Sequence, residues 1–135
     1  MWLGGMAPAS LRRCGRLADG WLPSLCTPDS ASAGREVIDA EATAAGRTIS
    51  DEHFGVSLGY SSRPLSEQTK AALATRARGA DPDALVPVGW DATRSLLERF
   101  VAAGFSKFVL RPLEQPTEWE AELEAIASAV GDLQT

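Results

Sequence analysis

The sequence predicts a parallel α/β domain built from four consecutive strand–helix units. Three observations carry this expectation. Short apolar runs alternate with amphipathic helical stretches along the whole chain. Glycine- and proline-marked turns separate them, and no two strands are joined by a two-residue hairpin signal. The 135 residues, 44% of them hydrophobic, suit one domain spanning residues 1–135 with a sizeable core.

The first unit opens with Trp2-Leu3 running into Gly4-Gly5. Pro8 stands in the first turn of the following helix, where its missing N–H costs nothing. Leu11, Cys14 and Leu17 recur every three residues as an apolar stripe, with Arg12, Arg13 and Arg16 turned to solvent. The second strand covers residues 20–22. Thr27-Pro28-Asp29 then supplies an N-cap hydroxyl, a proline at the first helical position and an early acidic residue. That helix is expected to reach about Ala45, with Ala33, Val37, Ala40 and Ala44 on one face and Gly46 as a left-handed stop.

The third strand, residues 54–60, alternates Phe54, Val56, Leu58 and Tyr60 with Gly55, Ser57 and Gly59. Large residues pack on one side, and the other side admits close approach. Its long crossover holds a helix over residues 66–77, a break through Asp81-Pro82, and a helix over residues 91–103 ended by Gly104. Leu96, Leu97, Phe100 and Val101 form the expected buried face of the latter. The fourth strand, residues 107–110, leads through Arg111-Pro112 to a last helix. Thr117-Glu118-Trp119-Glu120 reads there as a capping box, followed by the stripe Leu123, Ile126, Ala127, Val130 and Leu133.

Eighteen acidic and 13 basic residues give a formal net charge of -5 without a run of like charges, which argues against nucleic acid as a partner. No apolar stretch approaches the roughly 18 to 20 residues needed to cross a bilayer, and the N-terminus does not read as a signal segment. A cytoplasmic location is the expectation. Cys14 and Cys26 have no metal-ligand spacing and read as small buried hydrophobes; no metal site is expected. The single histidine, His53, reads as a surface or strand-cap residue.

Four such units leave two architectures open, a small doubly wound sheet of flavodoxin-like type and half of an eight-stranded barrel. A full barrel takes about 250 residues, so this length is near half of one.

The run from Trp2 through Gly4-Gly5-Met6-Ala7-Pro8, Ala9-Ser10-Leu11-Arg12-Arg13-Cys14-Gly15-Arg16-Leu17-Ala18 and Asp19-Gly20-Trp21 resembles the C-terminal portion of the luciferase-like monooxygenases. The shared pattern is an apolar strand ending in a glycine pair, a helix of the form ALRRAGRLA, and a next strand beginning Asp-Gly-Trp. Val88-Gly89 and the stretch Ala103-Gly104-Phe105-Ser106-Lys107-Phe108-Val109-Leu110 are similar to the family's closing segment. The resemblance implies half of a (β/α)8 TIM barrel, strands five to eight. Strands one to four have no counterpart before Met1, so the expectation is a C-terminal half-barrel fragment.

The family resemblance further implies an oxidoreductase that uses a reduced 8-hydroxy-5-deazaflavin, coenzyme F420, or alternatively FMN for monooxygenation of a small organic substrate. Arg111-Pro112 looks more like the F420-using branch. Alone, such a half is expected to be weakly active or inactive, and to self-associate or pair with a missing N-terminal half. The alternative is a non-catalytic half-barrel that binds a phosphorylated ligand or assembles with a second half.

The strand-to-helix turn at Gly4, Gly5, Met6 and Ala7 can aim backbone N–H groups and a positive helix end at one spot, as a phosphate requires. These four and Arg111, whose planar fork suits phosphate or carboxylate, are the expected cofactor-binding residues. The plainer readings are a tight turn for the glycine pair and, for Arg111, a salt bridge to Glu114. Residues at the C-terminal ends of barrel strands face the active site, so Trp21, Tyr60, Ser61 and Ser62 are expected at its rim. Trp21 also reads as core, and residues 60–62 also read as the start of a polar loop. Trp90 and Trp119 read as packing residues at helix starts. No nucleophile–base pair and no catalytic residue can be named, which suits chemistry that a cofactor carries.

Overall fold

The computed structural model describes residues 1–77 and 79–133. Four strands, β1 (Trp2–Leu3), β2 (Gly20–Trp21), β3 (Gly55–Tyr60) and β4 (Lys107–Pro112), run parallel. β1 pairs with β2 and β3 with β4. Single parallel bridges, Trp21 to Phe54 and Ser24 to Ser57, join the two pairs. The spatial order therefore follows the chain. A doubly wound sheet reverses its strand order at a switch point, and none occurs among the described strands.

Among the described residues, five α-helices lie in the crossovers, α1 (Pro8–Leu17), α2 (Pro28–Ala44), α3 (Glu67–Arg76), α4 (Pro82–Leu85) and α5 (Trp90–Ala102), and α6 (Trp119–Val130) follows the last strand. The four-residue α4 lies where the sequence reads as a break. Asp81 caps it by accepting from the Asp83 amide, a local side-chain turn that hydrophobic periodicity does not reveal. Thr27 caps α2, and its exchange of bonds with Ser30 completes a capping box. The box expected at Thr117 does not form. α6 begins at Trp119 with Glu118 as N-cap, which moves Glu120 to the second helical position and out of register for the reciprocal bond.

One face of the strands carries Trp21, Phe54, Val56, Leu58 and Tyr60, all buried against the helices. The other carries Gly55, Ser57 and Gly59, paired in register with the exposed Lys107, Val109 and Arg111. The core continues through Leu11, Cys14, Ala31, Ile38, Leu96, Leu97, Phe100 and Phe105. A second cluster, Leu65, Leu73, Leu85 and Val86, packs under the crossover.

The helix faces differ in detail from the expected stripes. α2 buries Ala31, Gly34, Ile38 and Ala42, whereas Ala33, Val37, Ala40 and Ala44 face solvent. The reason is close approach: α1 and α2 meet at Gly15, where an added Cβ would lie 2.4 Å from the Ile38 carbonyl oxygen. Gly34 on the same face gives the Trp21 ring its room, and Ile38 fills the core beside it. Leu17 at the end of α1 is 61% exposed, and Val101 is exposed beside the buried Leu96, Leu97 and Phe100. On α6 only Val130 is buried. Ile126 and Leu133 are partly covered, while Ala127, Leu123 and Trp119 are exposed, so Trp119 does not pack.

Charged groups lash the ends of these elements together. Arg47 donates to the carbonyls of Gly15 (2.9 Å) and Ala18 (2.8 Å), satisfying acceptors that the end of α1 leaves open. Arg35 lies over the Phe54 ring at 4.2 Å, donates to the Gly104 carbonyl and pairs with Asp51. Arg94 forks onto Asp132 at 2.6 and 2.7 Å, tying α5 to the end of α6. His53 sits in a 3-10 turn with Nδ1 2.7 Å from the Asp19 carbonyl oxygen and its ring beside Trp2.

Two predictions follow from this packing. Gly15→Ala should destabilise the protein by about 1–3 kcal/mol in urea titration, because overpacking outweighs the helix propensity gained. Gly131→Ala, where φ is -63° and nothing lies within 4 Å of an added Cβ, should leave stability unchanged or slightly raised. Equal midpoints for the two variants would contradict the close α1–α2 contact. Burial also lifts the thiols of Cys14 and Cys26 from 9.0 to about 11 and about 12. The folded chain keeps protons that the unfolded chain releases above pH 9.0, so stability falls as pH rises from there. The melting temperature should decline between pH 9 and 10, and Cys26→Ala should flatten that slope; a flat wild-type profile would refute it.

Candidate functional site

The loop after β1 is held from beneath. Trp21 is fully buried, with its ring on the Cα of Gly34 and tilted against Phe105, and its Nε1 donates to the Gly5 carbonyl at 3.1 Å. In a trans peptide the C=O and the next N–H point in opposite directions. Anchoring the Gly5 oxygen in the core therefore turns the Met6 N–H outward. Gly5 adopts φ +92°, a conformation that favours glycine, and an added Cβ would crowd Ser10 at 3.3 Å. At Gly4 an added Cβ would meet the Leu22 carbonyl oxygen at 2.9 Å.

The N-terminus of α1 adds to this. Pro8 has no N–H, and the Ser10 and Leu11 amides already turn to the Ala7 carbonyl. Among the described residues, the amides of Gly5, Met6, Ala7 and Ala9 meet no protein acceptor. Four such donors at a ten-residue helix start make a favourable place for an anion. Met6 and Ala7 line a cavity of about 320 Å³ together with Ser24, Leu25, Arg76 and Ala77.

A second cavity, about 180 Å³, lies beside it at the C-terminal ends of β2, β3 and β4. Ser24, Ser57, Gly59, Arg76 and Arg111 supply its polar and open wall, and Leu73, Leu85 and Val86 its apolar wall. Ser24, Leu25 and Arg76 line both cavities. Leu25 between them has φ +52°, a conformation costly for a leucine, and its side chain packs on the Leu73–Leu85 cluster.

The expected site residues thus divide. Gly4, Gly5, Met6 and Ala7 form the loop, and Arg111 lies in the neighbouring cavity. It does not pair with Glu114, whose carboxylate is taken by Arg63 at 3.6 Å. Trp21 is not a rim residue: its indole points to the helix layer and acts on the loop from below.

Tyr60 is likewise on the helix side, 2% exposed, with its ring tilted on Trp90 at 5.0 Å and its hydroxyl donating to Glu122. Burial and that carboxylate push its pKa far up, so it stays protonated. Ser61 is also buried. Its backbone bonds to Pro87 and Gly89, and its hydroxyl lies within 3.2 Å of Glu114, so it clamps the crossover. Ser62 alone of this group is exposed; with Tyr60 it borders a polar space of about 300 Å³ near the start of α6, apart from the arginine cavity. Arg76 was not foreseen. It lies on α3, far along the chain from both the loop and β4, and no local pattern marks it.

Comparison with known proteins supplies the context. The sequence matches the family described as luciferase-like monooxygenase over residues 1–131. No curated protein gives a significant match. Among solved structures, similarity extends to the coenzyme F420 dependent tetrahydromethanopterin reductase of Methanopyrus kandleri, with TM-score 0.68 and 17% identity over 99% of this chain. An F420-dependent secondary alcohol dehydrogenase, solved with an F420-acetone adduct, gives TM-score 0.70 and 13% identity over 99% of this chain. A monooxygenase from Streptomyces bottropensis gives 0.59 and 18% over 97%. The chain spans about half the length of these structures, 50, 48 and 47% respectively. Among the described residues, no helix is long and apolar enough to cross a membrane. With the profile match covering nearly all of its length, the chain belongs to the luciferase-like monooxygenase family.

Proposed function

We propose that this chain is one half of a (β/α)8 oxidoreductase barrel and that the loop formed by Gly4, Gly5, Met6 and Ala7 holds the phosphate of reduced coenzyme F420. The observation that carries this reading is the bond from Trp21 to Gly5, which commits the loop's carbonyl to the core and leaves its amides for a ligand. The F420-dependent enzymes among the structural relatives point to the same cofactor. FMN is the second reading. It presents a phosphate to the same kind of loop, and the similarity to a monooxygenase favours it.

Bound F420 in its reduced form supplies a hydride to an organic substrate. The chain's own residues bind and orient: loop amides take the phosphate, the strained Leu25 backbone forms the wall beside it, and Leu73, Leu85 and Val86 exclude water from the adjoining cavity. On this reading the strand face carrying Lys107, the outer edges of β1 and β4 and the exposed Val109, Leu113 and Leu123 are covered by a further half-barrel or a second copy. A space of about 580 Å³ between β4 and α6, lined by Leu97, Phe108, Leu110, Leu123 and Ile126, belongs to the same uncovered region. Turnover by the chain alone is expected to be low.

Titrating the full chain with F420 and with FMN, followed by cofactor fluorescence, should show saturable binding with F420 the tighter ligand. No change with either would overturn the proposal. Gly5→Val combines a strained φ with a clash at Ser10 and should weaken binding at least about tenfold, the loss of one charge-assisted hydrogen bond. Trp21→Phe keeps most of the ring but releases the Gly5 carbonyl. It should cost about 2–4 kcal/mol of stability, from the space opened beside Gly34 and the orphaned carbonyl together, and weaken cofactor binding in the chain that remains folded; unchanged binding would remove the loop's anchor from the account.

A further inference from the structure

We infer that the cavity between Arg76 and Arg111 takes the anionic group of the substrate, a carboxylate or a phosphate monoester, separately from the cofactor's phosphate. The inference rests on the reading that residues 4–7 hold that phosphate. Its starting point is charge. Arg35, Arg47, Arg63 and Arg94 each have a protein acceptor; among the described arginines without an ion pair or side-chain hydrogen bond, Arg12, Arg13, Arg16 and Arg99 stand on exposed helix surfaces, whereas Arg76 and Arg111 face a common cavity. They come from α3 and β4, distant in sequence, yet line one cavity.

The walls suit a small anion. Two guanidinium groups offer planar forks that match carboxylate or phosphate oxygens, and the hydroxyls of Ser24 and Ser57 add neutral donors. The carboxylate nearest along the chain, Glu114, is drawn to Arg63 and Ser61. Leucine and valine on the other wall lower the local dielectric and strengthen any ion pair formed there. At about 180 Å³ the cavity is below the roughly 300–1,000 Å³ of sites that enclose a whole cofactor or drug-sized ligand, so it fits a charged end group. Arg76 also lines the loop cavity, so the anionic end of a substrate bound here lies next to the cofactor's proposed place.

The test measures binding of glycerol 3-phosphate, succinate, inorganic phosphate and uncharged glycerol to the full chain by calorimetry at two salt concentrations. Saturable, salt-weakened binding of at least one anion and none of glycerol is expected, and the tighter anion identifies the group. Arg76→Gln and Arg111→Gln should each weaken it by about tenfold, and the pair by more. Gly5→Val should leave the organic anion bound. Anion binding equal in the double variant, or lost in Gly5→Val and kept in the arginine variants, would overturn the inference. Absence of F420 binding beside arginine-dependent anion binding would sink only the cofactor reading.

Discussion

The indole of Trp21 fills the space that Gly34 leaves beside Leu11 and Phe105, and its N–H holds the Gly5 carbonyl. A buried tryptophan needs a partner for that N–H. Here the partner is the loop after β1, so satisfying the core also sets the direction of the loop's peptide groups. The glycine at position 34 and the positive φ at Gly5 are both consequences: one leaves room on α2 for the edge of the ring, the other lets the chain bring its carbonyl down to the ring.

Close packing of α1 on α2 gives this arrangement its rigidity. Gly15 allows the helix backbones to approach, Arg47 binds the carbonyls at the end of α1, and Arg35 joins α2 to the start of β3 and the turn before β4. These contacts cluster at the end of the strands away from the loop. The opposite end, where the strands stop, carries the cavities, the strained Leu25 and the cavity-lining Arg76 and Arg111. That division, stability at one end and polar binding groups at the other, is what barrel enzymes of this type show.

On the strand face bearing Ser57, Val109 and Arg111 the crossover helices α3 and α4 reach only the cavity at the strand ends, Lys107, Val109 and Arg111 are exposed, and α6 touches the rest mainly through α5. Much of the apolar stripe of α6 is therefore uncovered, although its spacing is that of a core helix. A stripe of this kind states that something packs there without stating what. Length of about half the related structures gives the uncovered surface a consistent meaning under the proposed assembly.

By itself the sequence determined the kind and order of the four strands and the longer helices, though not α4, because apolar period, proline at helix starts and glycine at helix stops are local signals: Pro8, Thr27-Pro28, Gly46 and Gly104 all act where they stand. It also marked Gly4-Gly5 as the strand-to-helix turn, where the structure leaves the Gly5, Met6 and Ala7 amides without a backbone acceptor among the described residues. What only the tertiary structure decided is which face of each helix is buried and which side chains meet. Helix α2 buries the face of Ala31, Gly34, Ile38 and Ala42, where α1 and the Trp21 ring approach, and Trp21 and Tyr60 turn away from the strand ends toward the helices. Arg76 and Arg111 share a cavity across 35 positions of sequence, a proximity that arises from the path of the crossover and that no spacing rule contains.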